Sequence, residues 1–322
     1  MESKEERKPK TLYHYCSTET FLSIMSSQSI WLSDVGKSND KKEMSVLRKY
    51  FYDYIYNKML SLSSGIEKEC CRFLLATVKS DGFDKSTDIL NREDLAKQFI
   101  DRYKQTRAYC FCLSEQKDSL GQWRGYADNG NGMSIGFSRK YIERLNTRSV
   151  FCPVSNFHLW SVSYNNQPKD LDEICKIIYD TTEKDAPPRF LINVLDKLFY
   201  FSTIVKDKSF KEEKEWRVIF KSNDSYAKKE LLDFSLFSKV ADENYHVWFE
   251  IPQFKYTTRI DDIVSHIEVG IKDMRSAINS IIIGPKSKLT EMDIKILLIS
   301  KGIIDNMKDK SILIKKSEAS YR

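Results

Sequence analysis

Runs in which polar and apolar residues alternate open and close this chain, and stretches with helical spacing separate them. TLYHYCS (11–17) and IWLSDV (30–35) come first, AYCFCLSE (108–115) and SIGFS (134–138) stand in the middle, and EWRVIF (215–220) and NSIIIGP (279–285) come late. Such alternation, rich in aromatic and β-branched residues, marks strands, because successive side chains leave a strand on opposite faces. Segments 149–154, 159–164, 231–237, 245–251 and 311–316 fit the same pattern. Helical spacing appears after Ser17 or Thr18, in the stripe Met44, Leu47, Phe51, Tyr54 and Ile55 behind an Asp40/Glu43 capping box, near 66–79 and 91–106, over 170–184 and 188–205 around a Pro187–Pro188 break, and behind Thr290 and Asp293. The expected fold is α+β. A mixed, largely antiparallel sheet forms one domain over 11–322, with helices inserted near 40–106 and 170–205.

Composition narrows the setting. The chain of 322 residues is 41% hydrophobic and 12% aromatic, enough to bury a core. No stretch approaches the ~20 uncharged apolar residues of a membrane helix. MESKEERKPK (1–10) reads as a disordered, solvated tail and lacks the apolar run of a signal peptide. Seven cysteines, an odd number without a framework of spacings, suit a reducing cytoplasm. There is no CxxC pair, and the four histidines lack ligand spacing, so no metal is expected. The net charge of +6 is spread over 52 basic and 46 acidic residues and gives no basic stripe of the kind a dedicated nucleic-acid binder carries.

Three polar clusters carry candidate chemistry. If Lys211 to Phe220 is one extended strand, Trp216, Val218 and Phe220 share the core face, and Glu213, Glu215 and Arg217 share the other. Two carboxylates beside an arginine are costly to bury unpaired, yet in a cleft they can bind a sugar hydroxyl and stabilise a growing positive charge. The alternative is a solvated hairpin edge. The second cluster, SEQKDSLGQWRGYADNGNG (114–132), sets Ser114, Gln122, Trp123, Arg124 and Tyr126 beside glycines, of which Gly130 and Gly132 permit a close backbone approach to a ligand. Here the alternative is a capped turn with Trp123 as a core plug. The third is the opening YHY, with His14 and Tyr15, together with IWLSDVGKSND, where a core histidine competes with one that donates to a ribose or holds a pyrophosphate.

The order of these clusters is similar to that of ADP-ribosyltransferases, in which a first-strand histidine or arginine, a mid-chain Ser or Tyr element and a late-strand glutamate surround NAD. The chain also resembles a widespread bacterial domain family of unassigned function. The motifs that carry this likeness are LYHY (12–15), WLSD (31–34) with Asn39, Asp40 and Glu43, FCLSEQKDSLGQWRGY (111–126), EWR (215–217), IIIGP (281–285) and SEASYR (317–322). The tail departs from that family by reading ASYR where a proline precedes the tyrosine.

The ADP-ribosyltransferase likeness implies that NAD is a substrate. Glu215 would stabilise the ribosyl cation, Glu213 would orient or activate an acceptor, and His14 would fix the adenosine ribose. Arg217 or Arg124 would meet the pyrophosphate, and Tyr15, Trp123 or Tyr126 would stack on nicotinamide. The acceptor would be a protein or nucleic acid, or water in NAD hydrolysis. A role in bacterial stress or anti-phage defence would bring in a partner or immunity protein, and no membrane is implied. Two other readings compete. One is a non-catalytic nucleotide-sensing or protein-interaction module. The other is a metal-dependent nuclease in which Glu212-x-Lys214 forms the strand-borne carboxylate–lysine pair.

Overall fold

The computed structural model describes residues 8–37, 46–79, 82–83, 107–146, 157–164, 168–221, 248–250, 252–259 and 262–321. The expected Asp40/Glu43 cap, the helix at 91–106 and the strands at 149–154 and 231–237 lie outside the described residues. So do Asn39, residues 1–7 of the tail, and Arg322.

The fold is α+β, with a mixed and mostly antiparallel open sheet and several helices. Strand β1 (Thr11–Cys16) leads through helix α1 (Thr18–Ser27) to β2 (Ser29–Asp34). Ser17 caps α1 as its sequence requires, its side chain accepting from the Thr20 amide. Helices α2 (Val46–Ser61) and α3 (Ile66–Thr77) follow, and then the short pair β3 (Val78–Lys79) and β4 (Gly82–Phe83). The chain continues through β5 (Ala108–Ser114), the short helix α4 (Leu120–Tyr126), β6 (Met133–Ser138) and β7 (Phe157–Ser161). Helices α5 (Pro168–Asp180) and α6 (Pro187–Ile204) precede β8 (Glu215–Lys221). The two prolines sit in the first turn of α6, where a missing N–H costs nothing. Strands β9 (Gln253–Arg259), β10 (Asp262–Gly270) and β11 (Ile278–Ile283), helix α7 (Glu291–Ser300) and β12 (Leu313–Lys316) complete the described chain. Thr290 and Asp293 form a full capping box on α7.

The hairpin of β9 and β10 is absent from the sequence reading, because polar Lys255, Thr257, Ser265 and Glu268 dilute its alternation. Conversely, the described part of 245–251 contributes only an isolated bridge, from Phe249 to Ile271.

The sheet divides at β5. One edge of β5 pairs with β8 along its whole length, from Ala108 opposite Lys221 to Ser114 opposite Glu215. The other edge is shared. β1 reaches it only at Ser114, opposite Tyr13, while β2 reaches it at Cys110 and Tyr109. One wing continues from β1 through β6 and β11 to β12, and the other from β2 through β10 to β9. The Cys112 carbonyl falls in the gap between them and accepts from His14 Nδ1 at 2.9 Å. His14 therefore fills the fork where the wings part.

Cross-strand partners share a sheet face, so the register assigns each side chain. Leu12, Phe111, Leu113, Ile135, Phe137, Trp216, Val218 and Phe220 belong to the main apolar core. A second apolar cluster joins α2, α3, α5 and α6 through residues such as Phe51, Leu74, Ile178 and Leu191, so the two expected helical insertions pack on each other. Among the described residues, no helix is long and apolar enough to cross a membrane.

Candidate functional site

β8 is buried along its whole length, and its alternation puts Glu215 and Arg217 on the face opposite the main core. Glu213 is not on this strand, contrary to the sequence expectation. It ends a 3-10 turn, Lys208–Glu213, and Lys214 follows in the left-handed region at φ 43. That kink, not strand alternation, aims both carboxylates at one cation. Lys206 Nζ donates to Glu213 Oε2 at 2.7 Å and to Glu215 Oε2 at 3.1 Å. Arg217 grips Glu215 with Nε at 2.8 Å and Nη2 at 2.9 Å, and its Nη1 reaches the Thr203 carbonyl at 2.7 Å. Tyr126 Oη donates to Glu213 Oε1 at 2.8 Å. All four carboxylate oxygens thus have partners, and the two acids and two bases balance in charge.

Lys206, Glu213, Glu215 and Arg217 are all buried. Burial by itself would raise the Glu215 carboxyl, but Arg217 and Lys206 hold it below the usual carboxylate range. Burial likewise works against the Lys206 ammonium, yet the charges of Glu215 and Glu213 outweigh it and push its pKa above the ordinary lysine value. Tyr164 Oη accepts from the Glu215 amide at 2.6 Å, and burial raises that phenol to about 12. Ser114 Oγ donates to the Glu213 carbonyl at 2.6 Å. Glu215 and Lys206 are held ionised, and the cluster is fixed from several directions.

The face is open beside this cluster. Cys112, opposite Arg217, is exposed, as are the rings of Trp160 (49%) and Tyr126 (50%). Trp160 also stands opposite Arg217, on β7, and so shares its face. Phe210 borders Lys206, 4.8 Å from ring centroid to Nζ. A separate concavity of about 510 Å³, lined by Tyr50, Asp53, Tyr54, Lys58 and Asp172, lies in the helical layer away from these residues.

The other expected site residues have different surroundings. His14 faces the main core, opposite Ile135 and 4.4 Å from the Phe111 ring centroid, across the sheet from Glu215. Burial there lowers its pKa to about 4 against the raising effect of the Cys112 hydrogen bond, which leaves it a neutral donor. Tyr15 and Trp123 are buried against each other, edge to face at 4.9 Å, and offer no platform to a ligand. Trp123 is the core plug, its Nε1 donating to Asp118 at 2.6 Å. Gln122 is buried on the same helix, and Arg124 turns to the Tyr321 ring. Arg217 is engaged by Glu215 and Thr203, so its place is in the cluster and not at a pyrophosphate.

Gly130 and Gly132 serve packing within the chain. A Cβ on Gly132 would lie 2.1 Å from the Cys16 carbonyl oxygen, and one on Gly130 (φ 91) would lie 2.9 Å from the Tyr321 ring. Glu212 lies in the 3-10 turn and Lys214 at the left-handed kink, so the strand-borne pair of the nuclease reading is not formed. Among the described residues, no group of three or more His, Cys, Asp or Glu is placed to hold a metal ion.

Sequence reasoning missed Lys206, Tyr164 and Trp160. Lys206 is one lysine among 52 basic residues, and nothing local distinguishes it. Its tie to Glu213 and Glu215 depends on where α6 ends over the sheet.

Residues 122–218 match the family described as Protein of unknown function (DUF2971). Tyr126, Lys206, Glu213, Glu215 and Arg217 all lie in the DUF2971 stretch, whereas His14 and Cys112 lie outside it. Comparison with curated proteins finds no match, and comparison with solved structures finds none either. The likeness to ADP-ribosyltransferases therefore rests on the order of the motifs.

Proposed function

We propose that the open face beside Glu215 binds NAD as a substrate and cleaves its nicotinamide–ribose bond, as an ADP-ribosyltransferase or NAD glycohydrolase does. The supporting observation is one carboxylate. Glu215 is kept ionised, fixed by the Arg217 fork and by Lys206, and set near the exposed rings of Tyr126 and Trp160. A charge fixed in advance in a water-poor site is what a developing cation needs. The C1′–N1 bond breaks with its electron pair leaving on nicotinamide, and the ribosyl cation forms next to Glu215. An oxygen of water or of a macromolecular acceptor then bonds to C1′, and its proton passes to Glu213. Tyr126 and Trp160, exposed where Tyr15 and Trp123 are not, supply the stacking faces. A role in stress or anti-phage defence, with a macromolecular acceptor and a partner or immunity protein, depends on this chemistry.

A second reading has its own support. Because every carboxylate oxygen is already paired and His14 lies across the sheet, the same face suits a non-catalytic module that senses a nucleotide.

The test is nicotinamide release from NAD by purified protein, with and without cell lysate, followed by chromatography. Glu215→Gln would strip a buried charge that Arg217 and Lys206 both need, so the diagnostic substitution is Glu215→Asp, with circular dichroism checking the fold. Release by wild type, reduced on the order of 100-fold in the variant, supports the proposal. Binding of NAD without release favours the sensing module, and neither binding nor release removes both.

A further inference from the structure

The last described residues are tied to the segment that carries Tyr126. Asp118 accepts three hydrogen bonds: from Ser317 Oγ at 2.6 Å, from the Glu318 amide at 2.8 Å and from Trp123 Nε1 at 2.6 Å. The Ser317 amide donates to the Ile283 carbonyl at 2.8 Å, which anchors the tail at the end of β11. Farther along, the Tyr321 hydroxyl donates to Asn129. Its ring packs over Gly130 and has two cations near it, Lys286 at 4.0 Å and Arg124 at 5.1 Å from the centroid.

The held segment includes a backbone that has to be held. Asp128, Asn129 and Gly130 are consecutive residues with positive φ (47, 50 and 91), directly after α4 and Ala127. Two successive non-glycine residues in that region persist only when their surroundings enforce it. Tyr321 contacts two of the three. On the near side of the same short helix, Tyr126 meets Glu213.

We infer that the C-terminal segment Ser317–Tyr321 is a positioning strap, which clamps the loop from Asp118 to Gly132 at both ends and so keeps the Tyr126 hydroxyl on Glu213. The strap touches none of the four charged residues and acts on them through α4. That Tyr126 borders a functional site rests on the reading proposed above, whereas the strap itself is tested without any ligand.

The experiment compares the full chain with Tyr321→Ala and Tyr321→Phe by hydrogen exchange and by NMR of tyrosine labelled with 13C at Cζ, Tyr126 being assigned through Tyr126→Phe. In wild type the Tyr126 phenol titrates above its ordinary range, because burial and the Glu213 hydrogen bond raise it and outweigh Lys206, which lowers it. Tyr321→Ala is expected to raise exchange across 118–132 by roughly 5- to 10-fold, the scale of a few lost local contacts. It also returns the Tyr126 titration toward the ordinary phenol value. Tyr321→Phe, which keeps the ring beside its cations, moves both readouts in the same direction by less and covers the case of an alanine variant that does not fold. Faster exchange with an unmoved Tyr126 titration would mean that the tail merely stabilises the loop, and this overturns the inference, as does no change in either. A positive result stands whether or not NAD is turned over, and failure of NAD turnover leaves the strap untouched.

Discussion

Trp216, Val218 and Phe220 leave β8 into an apolar core, whereas Glu215 and Arg217, at the alternating positions, leave it into a cluster of four charges. The apolar face needs only the right pattern, since any neighbour that excludes water satisfies it. The charged face needs particular partners, which come from the end of α6, the 3-10 turn and α4. Such a cluster is poor value as a source of stability, because desolvation cancels most of the attraction and well-packed apolar residues often do as well. Its presence on a central strand therefore asks for a reason other than stability, and this is why the charged face and not the core is the candidate site.

The comparison breaks most visibly at Arg217. Arg217→Met leaves Glu215 buried with half its partners lost and is expected to cost about 3–5 kcal/mol. On the other face, Phe220→Ala costs about 3–5 kcal/mol through lost burial and a cavity. The two losses are alike in size and differ in coupling. In a Glu215→Leu background the Arg217→Met penalty should shrink by roughly 1–3 kcal/mol, because the stranded charge is gone, while the Phe220→Ala penalty stays the same. Urea unfolding of the two double-mutant cycles measures this. Equal penalties in both backgrounds would mean that the charges are not coupled and that the cluster is a solvated edge.

Acid probes the core face at the fork. His14 is neutral in the folded chain down to about pH 4, whereas the unfolded chain protonates it near 6.5. With its folded pKa below its unfolded one, the residue contributes stability that is present above 6.5 and lost as pH falls toward 4, on the order of 3 kcal/mol at most. Glu215, whose folded pKa is depressed, loses its contribution only from the ordinary carboxylate range downward, so a comparison that stops at pH 4.5 reads mainly His14. His14→Gln keeps an N–H for the Cys112 carbonyl and removes the titration. Its stability should fall less than that of wild type between pH 7 and pH 4.5. Part of the slope remains in both proteins, because burial also lowers His266. Identical slopes would place His14 in solvent and remove it from the fork.

Legibility follows the same division. Ser17, Thr290 and Asp293 announce their helices because a cap is a local bargain between one side chain and one amide. The strand EWRVIF is equally readable, since periodicity suffices, whereas Trp123 is not: an aromatic beside glycines suits a stacking platform as well as the buried plug it proves to be. Nor is the β9–β10 hairpin, because runs such as Thr257–Thr258–Arg259 and Ser265–His266 break its alternation. Glu213 and Glu215 stand out as a pair in the sequence, but the reason they converge does not. It lies in the left-handed turn at Lys214 and in the distant Lys206. His14 misleads for a related cause. A histidine on a first strand has the right chemistry for a ribose, yet its register with Ile135 puts it on the wrong face, and register is set by pairing across the sheet.

The smallest effect decides how open the charged face is. Tyr126 and Trp123 share α4, but Trp123 is fully buried and Tyr126 is half exposed. Tyr126→Phe removes the bond to Glu213 Oε1 and nothing else that is buried. If water reaches the vacated oxygen, the loss is about 0.5–1.5 kcal/mol, the net worth of one hydrogen bond. Urea unfolding of the variant beside wild type reads it. A loss near 3 kcal/mol would mean that Glu213 is sealed from solvent with one oxygen unsatisfied. In that case no ligand hydroxyl enters by this side, and the charged face returns to being a specificity element of the fold. The smaller loss keeps the opening beside Tyr126 as the way in.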